Sequence, residues 1–497
     1  MAQFVKIDPA KLEVLRTVNP CLVSYNVEMT EVTGGTFWKA YTDAQVDGTE
    51  PFDAILDWRN MGNLQQWYDP IDLYNPRLRK LAKELGTAWV RVSGTWANKT
   101  YYDFDGHTGG KVPDGFQNLL TKDQWIGLLD FVKAVGAKLL VSVANCPGIH
   151  SADEPWPSEQ AELLFRTSKE YGVPINAAEF TNEPNMMVMS GLPQGYTAAD
   201  HERDHEIFAR WLRKNYPDCL LVGPCTCGDI AMFGDMSTGG GIASALKMVT
   251  TEELLGEKPS KLDVFSYHYY NGVSERGQAM GGHWPFEAAM SEKYLSVAAN
   301  CTRQYLARRD RYCPGGQMWV TESGDAGCGG NTWASTYTDV TRTLNELGEF
   351  CTVTDGIVFH NTLASSDYGF LKHGTFEPRP NYFAVLLWNR LMGQTVYATG
   401  EEIREGAHVY AHSRRDGQEG FVYLIINNSK DVTTVELPRD AVRYTLSGKG
   451  KLRSRTMLLN GNELVLGEND ELPALEGVAQ AAGSVELAPE TCTFFVV

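Results

Sequence analysis

Two glutamates stand where short apolar runs give out: Glu183 in EFTNEPN (179–185) and Glu322 in WVTESG (319–324). A carboxylate at a buried strand end is costly unless it has a task. Pro184 directly follows Glu183 and stiffens the turn that aims it. Two carboxylates facing each other across a cleft are what glycoside hydrolysis requires. One is protonated and helps the leaving oxygen depart; the other is ionised and attacks, or activates water. Their environments must therefore push the two pKa values apart. Either glutamate alone would fit a structural ion pair, so the reading depends on a fold that brings both to one place.

The elements that could do so alternate from about residue 20 to 390. Eight apolar runs recur: CLVSYNVEM from Cys21, AWVRVSG from Ala88, KLLVSVAN from Lys138, INAAEF from Ile175, CLLVGPC from Cys219, DVFSYHYY from Asp263, QMWVTESG from Gln317 and GIVFHNTL from Gly356. Near-continuous apolar strands mark a parallel sheet covered on both faces. The segments between them carry helix punctuation. Asn75 and Pro76 open NPRLRKLAKELG, and Gly86 closes it. Thr121 with Gln124, and Thr197 with Asp200, have capping-box spacing. The pattern predicts a (β/α)₈ TIM barrel, in the α/β class, rather than an open doubly wound sheet, because no strand leads into a glycine-rich phosphate loop.

Active sites of such barrels lie at the C-terminal strand ends, and Glu183 and Glu322 end strands four and seven. The other ends supply Asn26 and Glu28, Thr95 and Trp96, Asn145, then His268, Tyr269 and Tyr270, then His360, Asn361 and Tyr368. Hydroxyls, amides and aromatic faces describe a sugar pocket.

After RPNYFAVLLWNRLMG the texture changes to short strands separated by Gly, Asn, Asp and Pro, which reads as an all-β sandwich. The expected organisation is a segment 1–20 as a candidate strand of the sandwich, a barrel over 21–393 and a C-terminal β-sandwich over 394–497.

Composition bounds the function. The 497 residues are 43% hydrophobic and 11% aromatic, enough for a large core. A formal charge of −18 disfavours nucleic acid as a partner. No stretch is long and apolar enough for a membrane span. The N-terminus lacks the apolar core of a signal peptide, which suggests the cytoplasm, or secretion if a leader has been removed. The ten cysteines have no framework spacing, and Cys225-x-Cys227 has no matching pair, so buried reduced thiols are expected. The sequons at Asn98 and Asn427 are read as chance. His201-Glu202-Arg203-Asp204-His205 matches the HExxH zinc protease pattern, but Phe208 and Trp211 stand where its extended form needs Gly and His. It is read as a solvated helix face, with a zinc protease as a minor alternative.

The segments PRLRKLAKELGTAWVRVSGT, EFTNEPN, DVFSYHYYNG, WVTESGDAGCGG, SSDYGFL with PRPNYFAVLLWNRLMG, and RSRTMLLNGNEL through ETCTFFVV resemble glycoside hydrolase family 79, the heparanase and β-glucuronidase family of retaining glycosidases. The resemblance spans nearly the whole chain, in order. It implies that Glu183 is the acid/base and Glu322 the nucleophile. Asn182 would hold the sugar 2-hydroxyl, and Tyr269 would lie beside the nucleophile. Gly329 and Gly330 would offer backbone N–H groups to a uronic acid carboxylate, with Tyr368 adding its hydroxyl. Thr95, Asn26, Asn145 and His268 would line the same pocket. Cys328 departs from a run of three glycines, and Asn26 stands in place of an aspartate. No metal or organic cofactor is implied.

The expected substrate is a β-glucuronide or an oligosaccharide containing uronic acid. The acidic surface, and the lack of a basic run at the rim, favour exo action over endo cleavage of heparan sulfate or a related glycosaminoglycan. Nothing in the sequence sets the oligomeric state.

Overall fold

The computed structural model describes residues 3–53, 58–228, 248–257 and 259–497. The eight apolar runs form eight parallel strands that close into a barrel in sequence order. They are β1 (Val23–Glu28), β2 (Trp89–Ser93), β3 (Lys138–Ser142), β4 (Ala177–Glu179), β5 (Leu220–Cys227), β6 (Val264–Tyr270), β7 (Gln317–Gly324) and β8 (Val358–His360).

Side chains alternate across each strand, and this phase decides what reaches the site. Trp89, Leu140, Ala177, Val222, Val264, Trp319 and Phe359 form one apolar cluster that plugs the barrel below the rim. The intervening residues, such as Val90, Val141, Phe265 and Tyr267, pack outward against the helices in the main core. Above the plug the inward positions turn polar: Ser24, Arg91, Ser142, Glu179 and Ser266 are all fully buried.

The helices begin where the caps require. The Asn75 side chain accepts from the amides of Arg77 and Leu78 at the start of α1 (Pro76–Glu84). Thr121 and Gln124 close a capping box on α2 (Lys122–Val135), which ends at Gly136 with φ 71°. Thr197 and Asp200 do the same for α3 (Ala198–Asn215). Each such cap stabilises by about 1 kcal/mol.

On α3 the structure corrects one expectation. His201 and His205 are not on a solvated face. They are buried and stacked, with ring centroids 5.7 Å apart, against Phe180. Burial pushes both imidazoles below their ordinary range, His205 to about 4. Glu202 sits on the exposed side of the helix, turned away from both rings, whereas a zinc protease needs that glutamate beside the metal. Asn98 and Asn427, the sequon asparagines, are fully buried. None of the ten cysteines is in a disulfide, and all but Cys328 are buried. No helix among the described residues is long and apolar enough to cross a membrane.

The C-terminal region forms two antiparallel layers. A large sheet carries β9 (Met392–Ala398), β10 (His408–Arg414), β11 (Phe421–Asn427) and Thr491–Val496, and a small one pairs Thr433–Leu437 with Gly483–Leu487. The N-terminal segment joins both: Gln3–Lys6 pairs with Thr433–Leu437, and Glu13–Thr17 with β9. Val5, Ile7, Ile425, Val435, Val485 and Phe495 fill the space between the layers. The helix Thr338–Val353 is buried over nearly its whole length. It touches this region through Tyr337, whose hydroxyl donates to the Leu446 carbonyl at 2.9 Å.

Candidate active site

A cavity of about 420 Å³ opens at the C-terminal rim of the barrel, and Glu183 and Glu322 both line it. Its volume falls within the usual range of ligand pockets.

Glu322 owes its aim to an irregularity in β7. Tyr267 of β6 pairs with Val320, but His268 pairs with Glu322, so Thr321 is an extra residue. Such a bulge resets the phase of a strand. Trp319 points into the plug, and strict alternation would send Thr321 and Ser323 inward. The bulge sends Glu322 inward instead.

Glu183 is aimed by a turn. Its φ is 47°, a left-handed conformation that costs a non-glycine residue roughly 1 kcal/mol or more. The surrounding bonds hold it there. The Ser190 hydroxyl and the Met186 amide donate to the Glu183 carbonyl at 2.6 and 3.0 Å. The Asn98 side chain accepts from the Asn182 amide at 2.9 Å and donates to the carbonyls of Asn182 and Ser190 at 2.9 and 3.1 Å.

His268 sits between the two carboxylates. Its Nδ1 lies 2.9 Å from Glu183 Oε1 and 3.6 Å from Glu322 Oε2. Those two oxygens are therefore no further apart than the sum of the two reaches, about 6.5 Å. Below them lies Arg91, fully buried. It donates to Glu322 Oε1 at 3.0 Å, to Glu179 Oε2 at 3.0 Å and to Asn182 Oδ1 at 2.8 Å. The Tyr270 hydroxyl donates to Glu322 Oε2 at 2.7 Å.

These contacts set the charge states. Burial opposes ionisation of Glu322, but His268, Arg91 and the Tyr270 hydroxyl outweigh it and hold the carboxyl below its ordinary range. Glu28 goes the other way. Burial, the Glu322 charge and the Glu31 charge push its carboxyl well above the usual range. Within one pocket wall the surroundings favour the ionised form of Glu322 and the protonated form of Glu28.

Glu183, His268 and Cys227 also place ligand atoms within 4.8 Å of one another, a set that could hold a metal ion.

Comparison with known proteins gives this constellation a lineage. No protein-family model matches the chain. Heparanase-like protein 1 of Arabidopsis thaliana is 26% identical to it over 510 residues, covering 89% of this chain and 89% of that protein. Baicalin-beta-D-glucuronidase of Scutellaria baicalensis is 29% identical, covering 85% of this chain and 83% of that one. The chain is a homologue of the family 79 glycoside hydrolases. A 4-O-α-L-rhamnosyl-β-D-glucuronidase from Fusarium oxysporum shares the fold, with a TM-score of 0.64 at 11% identity over 99% of this chain and all of that one.

In this family 79 homologue, Asn182, Thr95 and Tyr368 line the cavity with the two glutamates. Other residues expected there do not. Tyr269 points outward into the core, where its hydroxyl donates to Asn271, and Tyr270 takes the place beside Glu322. The reason is phase: His268 and Tyr270 share the inward face of β6, and Tyr269 lies between them. Asn26 faces inward but one layer too deep, donating to the Thr321 carbonyl and to Asn361 Oδ1. Glu28, two residues further along β1, reaches the cavity instead.

Asn145 is fully buried beneath the wall, where it donates to the Tyr196 hydroxyl and its Oδ1 faces His150 Nε2. His268 links the carboxylates rather than lining the wall. In the glycine loop the crest that meets the cavity is Gly327 and Cys328. Gly329 and Gly330 lie behind it. A Cβ on Gly329 would strike Ser366 Oγ at 2.7 Å, and the Gly330 amide is taken by the Ala326 carbonyl.

Two further residues were open to detection in the sequence. Arg91 interrupts an apolar strand, and a charge there must be paired. Asn98 was visible only as a sequon.

Proposed function

We propose that this chain is an exo-acting, retaining β-D-glucuronidase. The observation that carries the reading is the pair Glu183 and Glu322 flanking His268 at the rim, with at most about 6.5 Å between the facing oxygens. Retaining enzymes hold their two carboxyls about 5–5.5 Å apart, and inverting ones need about 6.5–9.5 Å to admit water. In the first step Glu322 attacks the anomeric carbon while Glu183 gives its proton to the leaving oxygen, and the bond to that oxygen breaks. In the second, Glu183 takes a proton from water as the water displaces Glu322.

Asn182 fits the sugar 2-hydroxyl. Its Oδ1 is held by Arg91, and its Nδ2 has no acceptor among the described residues. A uronate carboxylate fits the side of Tyr270, Tyr368 and Cys328. The Tyr368 hydroxyl accepts from Asn361 and keeps its own proton for an anion there, whereas the Tyr270 proton is already given to Glu322. The name of the Scutellaria baicalensis relative supports a glucuronic acid substrate. Exo action is favoured because Lys99 is the lone cation among the described lining residues, too little for a groove that grips a sulfated polymer.

The test is turnover of 4-nitrophenyl β-D-glucuronide against the matching β-glucoside, with the product anomer read by NMR. Glucuronide-selective release of the β-anomer is expected. Inactivity on both, with depolymerisation of heparan sulfate or hyaluronan, would replace exo with endo action.

A pH prediction follows from Tyr270. A carboxyl held below its ordinary value of ~4.3 stays ionised as the pH falls through that value. Tyr270→Phe removes one of the groups that lower it, so the Glu322 pKa rises. The acid limb of kcat/KM should move to higher pH, and kcat/KM at its optimum should fall roughly 10- to 100-fold, as for a hydrogen bond to a charged group. An unmoved acid limb would show that Tyr270 does not set the charge of Glu322.

A further inference from the structure

Outside the cavity, a second group of ligand-type side chains gathers on the loop YDFDGHTGGK (102–111). The loop leaves the strand Thr100–Asp103 and returns as Asn118–Thr121, which pairs with it in parallel. Its ends meet where the Gln117 amide donates to the Lys99 carbonyl at 2.8 Å. Between them the chain is mostly exposed, and Gly106, Gly109, Gly110 and Gly115 all have φ between 61° and 83°. A solvated turn rich in glycine is costly to order.

Three side chains converge in this turn. Asp103, Asp105 and His107 each place a ligand atom within 4.8 Å of the others. His107 Nδ1 lies 2.5 Å from Asp105 Oδ1 and 3.2 Å from Asp103 Oδ1. Exposed acids often sit together without an ion, but Asp103 is not exposed: its side chain is 2% accessible. The Thr108 hydroxyl donates to its Oδ2 at 2.6 Å. Its Oδ1 is buried and accepts no hydrogen bond from any described residue. One Nδ1 proton cannot serve two carboxylates, and the shorter contact is to Asp105. A buried carboxylate oxygen without a donor is expensive, and this one is aimed at the imidazole nitrogen.

A cation resolves the conflict. Two carboxylates supply the negative charge, and an imidazole nitrogen selects zinc or a similar transition ion over calcium, which takes oxygen ligands. With a metal on Nδ1 the ring keeps its proton on Nε2, where the Tyr101 hydroxyl stands 3.3 Å away to accept it. A partner on the far nitrogen is what orients a metal-binding histidine. Tyr101 is itself held edge-on by Phe116, with ring centroids 5.1 Å apart.

We propose that Asp103, Asp105 and His107 bind one divalent transition-metal ion, zinc by preference, with water completing the coordination, and that the ion staples this loop. Lys99 and Gln117, at the two ends of the segment, both line the cavity, so the staple supports the cavity wall from outside. The site does not depend on which glycoside is cleaved.

The experiment strips the full chain with EDTA and returns Zn²⁺ or Ca²⁺. Binding is measured by titration calorimetry, and loop order by the rate of trypsin cleavage after Lys111, an exposed residue of the loop. Wild type, His107→Ala and Tyr101→Phe are compared. The His107 side chain is 58% exposed, so its removal leaves the fold in place. Zinc should slow cleavage after Lys111 in wild type by about tenfold or more, and calcium should not. Zinc binding at the loop should weaken by roughly 100-fold in His107→Ala and about tenfold in Tyr101→Phe, with protection lost in the same order. Equal protection of wild type and His107→Ala overturns the site, and so does protection by calcium alone. Zinc that inhibits turnover but leaves Lys111 as accessible as before is bound at Glu183, Cys227 and His268, which also overturns it.

Discussion

Glu322→Gln is expected to lower kcat on 4-nitrophenyl β-D-glucuronide by about four orders of magnitude or more, the scale seen when a nucleophile is removed. An amide cannot attack the anomeric carbon to form the glycosyl-enzyme. The loss should come without unfolding. Gln keeps one oxygen to accept from Arg91, the Tyr270 hydroxyl can turn to accept from the Gln N–H, and Arg91 retains Glu179 and Asn182 as partners. The thermal midpoint should therefore move little, which separates lost chemistry from lost structure. A 2-deoxy-2-fluoro glucuronide with an activated leaving group should trap the intermediate, and peptide mapping should find the label on Glu322. A label on Glu28 would reverse the assignment of ionised and neutral carboxylates argued from their surroundings.

Glu183→Gln should split by substrate. General acid catalysis contributes typically 10²–10⁴-fold, and it matters most when the leaving oxygen is a poor one. Phenyl glucuronide should lose about three orders of magnitude in kcat/KM, whereas 2,4-dinitrophenyl glucuronide, which departs without a proton, should lose far less. With that activated substrate the second step becomes limiting, because no base removes the proton from water. A burst of dinitrophenol and acceleration by azide are then expected. Equal losses on both substrates would mean that Glu183 positions the sugar and does not move a proton. Cys227 and His268 complete the ligand set around Glu183, so these assays belong in metal-free buffer.

Both predictions fall on residues visible before any fold was known. Asn-Glu-Pro and Thr-Glu-Ser-Gly end apolar runs, and the helix caps at Asn75, Thr121 and Thr197 are local hydrogen-bond patterns, so each can be read from a few neighbouring residues. The eight runs close as a barrel because continuous apolar strands must be covered on both faces. That closure brings strands four and seven to one rim. The strand expected from the first 20 residues was harder to place, since the pairing partners lie some 400 residues away in the chain.

The neighbours of the glutamates were less legible. Tyr269 and Tyr270 are indistinguishable by type, and only the phase of β6 chooses between them. That phase matters beside Glu322 because Thr321 is bulged out of β7, a feature of pairing between strands. Asn26 and Glu28 differ only in depth along β1. Gly329 and Gly330 were read as the contact surface, yet the loop turns at Cys328, with φ 63°, and presents Cys328 and Gly327. Arg91 carries no motif and Asn98 only a sequon, and their roles exist only relative to groups far away in sequence.

By itself, then, the sequence determined the barrel with its β-sandwich and the two carboxylates at strand ends, because periodicity, caps and strand termini are local. The tertiary structure decided which side chains surround those carboxylates and in which direction burial and neighbouring charges push each acid. These depend on register, depth and burial, which arise only when distant segments share one desolvated space.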